Sequence, residues 1–60
     1  MNKSYLINLL GEAIAQLQSA KELFESGDAA APYRLNEGVG LANYSRRVAK
    51  MLGLLENLNP

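Results

Sequence analysis

The sequence predicts an all-α fold, an antiparallel two-helix hairpin that completes a four-helix bundle or coiled coil with a second chain. Two segments repeat apolar residues at steps of three and four, the spacing that places side chains on one side of an α-helix. A short segment rich in glycine, alanine and proline separates them. The 60 residues include neither cysteine nor histidine. A domain this small has a marginal core, so a second chain is the expected source of further stability.

The first helix is predicted at residues 4–26. Ser4 is the expected N-cap, because its hydroxyl can accept a hydrogen bond from a free amide of the first turn. Gly27 is expected just past the end, since glycine adopts the left-handed conformation easily. Leu17 stands in the middle of the apolar pattern, so we expect it to be buried at the centre of the packing. The residues on this side are Leu6, Leu10, Ala13, Leu17, Ala20 and Phe24.

The connector is predicted at residues 27–35 and the second helix at residues 36–57. Asp28 can cap a following helix and Pro32 is tolerated in a first turn, so the start is open between Ala29 and Asn36. Gly38 and Gly40 predict either a kink or a shorter helix capped by Asn36. The apolar pattern is Leu41, Tyr44, Val48, Met51, Leu55 and Leu58, while Leu35, Val39 and Ala42 fall on a different line.

Both apolar patterns are wider than a two-stranded contact requires, so part of each must meet another chain. Phe24 and Tyr44 are expected in the core of the assembly. The residues predicted to bind a partner through this apolar surface are Leu10, Leu17, Phe24, Tyr44, Val48, Leu52 and Leu55.

The charged residues favour a protein partner, either a second copy or a larger subunit. Lysine and arginine balance aspartate and glutamate, which leaves a formal net charge of zero. A basic cluster without interleaved aromatic residues is a weak signal for nucleic acid, so we expect no direct nucleic-acid binding. The candidate surface contacts are Tyr33, Arg34, Arg46, Arg47 and Lys50.

Catalysis is not expected. Histidine, the usual general acid–base, is missing, and the serine hydroxyls have no evident base to activate them. We therefore predict no catalytic residue, cofactor, metal ion or small-molecule substrate. No apolar run approaches the roughly 20 residues that span a bilayer, and no signal peptide is recognised. We expect no membrane association and a cytoplasmic location.

Three segments of the sequence resemble motifs of one protein family. They are Leu10-Gly11-Glu12-Ala13-Ile14-Ala15-Gln16-Leu17, Phe24-Glu25-Ser26-Gly27-Asp28 and Glu37-Gly38-Val39. The family that they resemble is the exodeoxyribonuclease VII small subunit. The resemblance covers about residues 10–42, with a gap of about three residues. It implies a non-catalytic hairpin that binds a large nuclease subunit. The length, the helical plan and the turn at Gly27-Asp28-Ala29 followed by Tyr33 are also similar to the small hairpin co-chaperones of type III secretion needle proteins.

These observations predict a non-catalytic accessory or assembly subunit that packs on a larger partner or on itself. A needle co-chaperone is the first alternative. A small dimeric regulatory four-helix bundle with a link to nucleic acid is the second.

Overall fold

The computed structural model describes residues 2–55. Two helices, α1 (Lys3–Ser26) and α2 (Ala31–Met51), pack against each other as an antiparallel hairpin. The predicted all-α hairpin is confirmed, whereas its pairing with a second chain stays a prediction. The hairpin measures 40 × 26 × 12 Å. It is therefore one helical layer thick, although stable domains normally bury their apolar faces between two layers.

Helix α1 is capped by an earlier residue than the predicted one. Asn2 has an extended backbone, and its Oδ1 accepts a hydrogen bond of 3.1 Å from the amide of Tyr5. The prediction of Ser4 as the N-cap is wrong, because Ser4 already lies inside the first turn. Asparagine caps as well as serine does, so residue preference alone does not choose between them.

The end of α1 is the predicted one. Gly27 is left-handed, with φ of 72°. Its amide donates to the carbonyl of Phe24 at 3.2 Å, and the amide of Asp28 donates to that of Leu23 at 2.8 Å. These two bonds form a Schellman motif, which satisfies carbonyls that the helix leaves free.

Helix α2 begins at Ala31, five residues before the predicted start at 36. Asp28 Oδ1 accepts from the amide of Ala30 at 2.8 Å and tightens the connector. Pro32 then falls in the first turn, where its missing N–H has no partner to lose. The helix is continuous through Gly38 and Gly40, so Asn36 caps no new helix.

Helix α2 ends at Met51, before the predicted end at 57, and position 57 lies outside the described residues. Gly53 is left-handed, with φ of 74°. The amide of Gly53 donates to the carbonyl of Lys50, and that of Leu54 to the carbonyl of Ala49. This second Schellman motif closes the helix where the apolar pattern alone would have extended it.

Small residues fill much of the seam between the helices. The hydrophobic core cluster near one end of the hairpin consists of Leu6, Leu9, Val48 and Ala49. The other buried residues are small: Ala13 and Ala20 on α1, and Ala31, Gly38 and Ser45 on α2. Small side chains allow two helices to approach closely, because interaxial distance depends on the residues at the contact.

The buried side of α1 differs in part from the predicted one, because Leu6, Ala13 and Ala20 are buried as expected whereas Leu9 takes the inner position in place of Leu10. Leu9 and half-buried Leu23 turn inward, Leu10 and Phe24 turn outward, and Leu17 stands at the edge of the seam with its side chain against Gly38. Leu17 is 39% exposed, so the prediction of a buried central leucine is wrong. Phe24 at 53% and Tyr44 at 39% are also outside the hairpin core. Alanines occupy much of the seam because their small side chains let the two helices approach closely, and several larger residues lie at its edges.

Candidate partner-binding face

One side of α1 presents a row of large apolar side chains to solvent. Ile7, Leu10, Ile14, Leu17 and Phe24 follow one another at steps of three, four, three and seven. Residues so spaced lie on one side of a helix. Their exposed fractions run from 39% at Leu17 to 66% at Ile14. Helix α2 leaves much of the apolar surface of this row uncovered, although Leu17 also lies against Gly38.

Helix α2 continues the same surface. Leu10 and Ala42 line a shared open groove together with Leu6, Ala49 and Leu55, and almost all of its lining is apolar. Leu35 and Val39 precede Ala42 by seven and three residues, so helical geometry places them on the same side of α2. Both are more than two-fifths exposed. We define the apolar face by its members: Ile7, Leu10, Ile14, Leu17, Phe24, Leu35, Val39 and Ala42.

The opposite side of the hairpin is mixed in character. Tyr5 on α1 and Tyr44 on α2 meet there, with Glu12 nearby. Hydrogen bonding with the Tyr44 side chain, followed by partial desolvation, raises the pKa of the Tyr5 phenol. Glu12 and Glu37 are exposed on these helices. Carboxylates and phenols make this side more polar than the apolar face.

The basic residues of α2 lie together beside the apolar face. Asn43, Arg46, Arg47 and Lys50 line an open depression, with Leu55 at its border. Arg46 Nη2 donates to Asn43 Oδ1 at 3.4 Å. Within residues 2–55, Lys21–Glu25 at 3.2 Å is the ion pair that forms, and it does not involve this cluster. All three cations are exposed, and no carboxylate of the described residues pairs with them.

The predicted partner-binding residues divide into four groups. Leu10, Leu17 and Phe24 belong to the apolar face, and Leu52 and Leu55 are half-buried against the core cluster. Tyr44 lies on the opposite side with Tyr5. Val48 is 0% exposed. The prediction that Val48 contacts a partner is therefore wrong, because α1 already covers it.

The predicted surface contacts are exposed. Tyr33 is 75% exposed in the first turn of α2 rather than in a connector, and Arg34 follows it. The sequence interpretation missed Leu35, Val39 and Ala42, which it set aside as being on a different line. These three residues repeat at steps of four and three, as the row on α1 does. That repeat was the signal that could have placed them on a second apolar surface.

The polar groups of the seam serve the helices themselves. The buried Ser45 hydroxyl donates to the carbonyl of Leu41 at 2.8 Å, and Ser26 Oγ donates to that of Leu23 at 3.2 Å. Among the described residues, no three acidic side chains gather as a metal site would require. Neither described helix has a segment apolar and long enough to cross a bilayer.

Comparisons with known protein families, characterised proteins and solved structures found no match to this chain. The resemblances drawn from the sequence thus stay predictions. One of the motifs behind these resemblances, Gly27-Asp28, has a capping role within the hairpin itself. Gly27 and Asp28 terminate α1, and Asp28 also tightens the connector. Any helical hairpin with this turn can use the same residues for capping.

Proposed function

We propose that this chain is a non-catalytic protein–protein interaction module, an accessory or assembly subunit that binds another protein chain through its apolar face. The observation that carries the proposal is the row from Ile7 to Phe24 beside Leu35 and Val39, all exposed on a hairpin one layer thick. The largest apolar patch of a typical soluble monomer covers about 300–600 Å² and is often an interaction site. Lys21 is the charged residue that stands within the row, between Leu17 and Phe24.

The size of the patch supports this reading. Seven large side chains of the face are between 39% and 66% exposed. Taking roughly 150–200 Å² for each such side chain when fully exposed, the apolar area is on the order of 600 Å². A standard interface buries about 800 Å² per partner, of which about 60% is apolar. The face alone can therefore supply the apolar part of one interface.

A matched pair of variants tests the proposal. Ile14→Ser changes a residue of the apolar face that is 66% exposed, and Met51→Ser changes one that is 63% exposed on another side of α2. Loss of a buried isoleucine contact weakens binding by about 1.5–3 kcal/mol, which is at least tenfold. We expect this loss for Ile14→Ser and less than a twofold change for Met51→Ser.

The readout combines the purified chain with its native cell. Sedimentation velocity measures self-association, and a photoreactive amino acid at position 14 or 51 records neighbours in the cell. The proposal predicts that cross-links to a protein form from position 14 and not from position 51. It is contradicted if Ile14→Ser leaves both self-association and cross-linking at the wild-type level.

A further inference from the structure

The charges of the hairpin are divided between its two ends. Near the connector, four acidic residues stand against two basic ones: Glu22, Glu25, Asp28 and Glu37 against Lys21 and Arg34. The other end of the described chain carries Lys3 on α1 and Arg46, Arg47 and Lys50 on α2, while Glu12 lies near the middle of α1. Among the described residues the charge is therefore polarised along the hairpin, with a net −2 near the connector and +4 towards the other end.

We propose that a second copy of this chain covers the apolar face, an inference that rests on the function proposed above. The two copies pack antiparallel, so that α1 lies on α1 and α2 lies on α2. Two layers related by a two-fold axis can be arranged in two ways. An axis along the helices superposes like ends, acidic on acidic and basic on basic. An axis across the helices superposes opposite ends. Complementary potentials select the second arrangement, because juxtaposed like charges are unfavourable.

The amount of exposed surface fits one such partner. The apolar area of the face, on the order of 600 Å², is close to the apolar part of the roughly 800 Å² that each partner buries in a standard interface. Two copies of a single layer also give the two-layer architecture that domains require.

Positions on α1 report the arrangement directly. Helix α1 runs from Lys3 to Ser26, so Ile14 is next to its midpoint. In the antiparallel pair, Ile14 of one chain lies near Ile14 of the other, and Ile7 lies near Phe24. With a rise of about 1.5 Å per residue, Ile7 of the two chains would be about 25 Å apart.

Single cysteines test this geometry without interference, since the native chain has none. Under mild oxidation, Ile14→Cys is expected to form a disulfide-linked dimer and Ile7→Cys is not. A mixture of Ile7→Cys and Phe24→Cys is expected to give the mixed dimer. All three positions are exposed in the hairpin, and circular dichroism checks that each variant keeps its helices.

Charge reversal tests the electrostatic step independently. Reversing the basic end by Arg46→Glu, Arg47→Glu and Lys50→Glu is expected to raise the dimer Kd about tenfold. Adding Glu22→Lys and Glu25→Lys to the same chain restores opposite ends and is expected to bring the Kd back to within about threefold of wild type. The effect of the first reversal is expected to shrink in 0.5 M salt, where the Debye length is only a few Å.

The outcomes separate this inference from the proposed function. A disulfide-linked dimer of the Ile7→Cys variant alone, or a dimer that the charge reversals do not affect, overturns the antiparallel arrangement. A chain that stays monomeric at 100 μM but cross-links from position 14 to a different protein overturns the second copy as occupant and leaves the proposed function standing. A monomer that cross-links to no protein from the apolar face overturns both.

Discussion

The Leu17 side chain lies directly on Gly38, so close that a Cβ atom at residue 38 would be 2.7 Å from Leu17 Cδ2 and 3.2 Å from the Leu17 amide nitrogen. The two helices therefore make their close approach at a position where one of them has no side chain. Gly38 stands in the middle of α2 because of this contact, although glycine disfavours helices.

Gly38→Ala is expected to lower the free energy of unfolding by about 1 kcal/mol, because crowding in the seam outweighs alanine's higher helix propensity. Gly40→Ala is the matched control. A Cβ there would meet nothing within 4 Å, so this variant is expected to gain about 1 kcal/mol. Thermal denaturation should order the melting temperatures as Gly40→Ala, wild type, Gly38→Ala. Equal gains for both alanines would show that the helices do not approach closely at Gly38.

Val48→Ala is expected to destabilise the chain by about 2 kcal/mol, since it removes two buried methyl groups and leaves a cavity. Val48 is 0% exposed, whereas the nearby Met51 is 63% exposed. Met51→Ala should stay within about 0.5 kcal/mol of wild type. Urea denaturation measures both. A Val48→Ala chain as stable as Met51→Ala would contradict the inward orientation of this side of α2.

Gln16→Leu is expected to stabilise the hairpin by about 1 kcal/mol. Gln16 is half-buried beside the seam, and its Oε1 is buried without a hydrogen-bond partner among the described residues. An unpaired buried acceptor destabilises by about 1–3 kcal/mol, and leucine removes it. Gln18→Leu is the control, because exposed Gln18 donates to Glu22 at 3.2 Å on the outer surface. A melting temperature lowered by Gln16→Leu would mean that this amide has a partner in solution.

The basic cluster is expected not to bind nucleic acid on its own. Arg46, Arg47 and Lys50 share an open depression, but the chain as a whole has a formal net charge of zero. Fluorescence anisotropy with single- and double-stranded DNA and RNA near 150 mM salt should show no binding at micromolar protein. Micromolar binding that falls steeply with salt, and that is lost when all three residues become alanine, would favour the regulatory-bundle alternative instead.

Most of the fold was predictable because capping and periodicity are local. Gly27 and Asp28 mark the end of α1 through backbone chemistry that involves only their near neighbours. The start of α2 was less predictable, because Ala29, Ala30 and Ala31 fit either a connector or a helix. The early stop at Gly53 could have been read from the same left-handed preference that located Gly27.

The candidate site was only partly predictable because hydrophobicity does not rank residues by how closely helices can pack. The predicted inner side of α1 included Leu6, Ala13 and Ala20, which are buried, but it also included Leu10 and Phe24, which are exposed, and it left out Leu9. The partner of each seam position, such as Gly38 for Leu17, lies on the other helix. Rotation of α1 about its axis depends on such pairs, and a single-helix pattern does not contain them.

The central claim is that the hairpin leaves an apolar face that another chain must cover. Sedimentation equilibrium between 5 and 200 μM, with thermal melts at the same concentrations, tests it most directly. We predict that wild type forms a two-chain species whose melting temperature rises with concentration, and that Ile14→Ser shifts this equilibrium towards the monomer. A wild-type monomer that melts cooperatively, at a temperature independent of concentration across this range, and that cross-links to no protein from position 14 would contradict the claim.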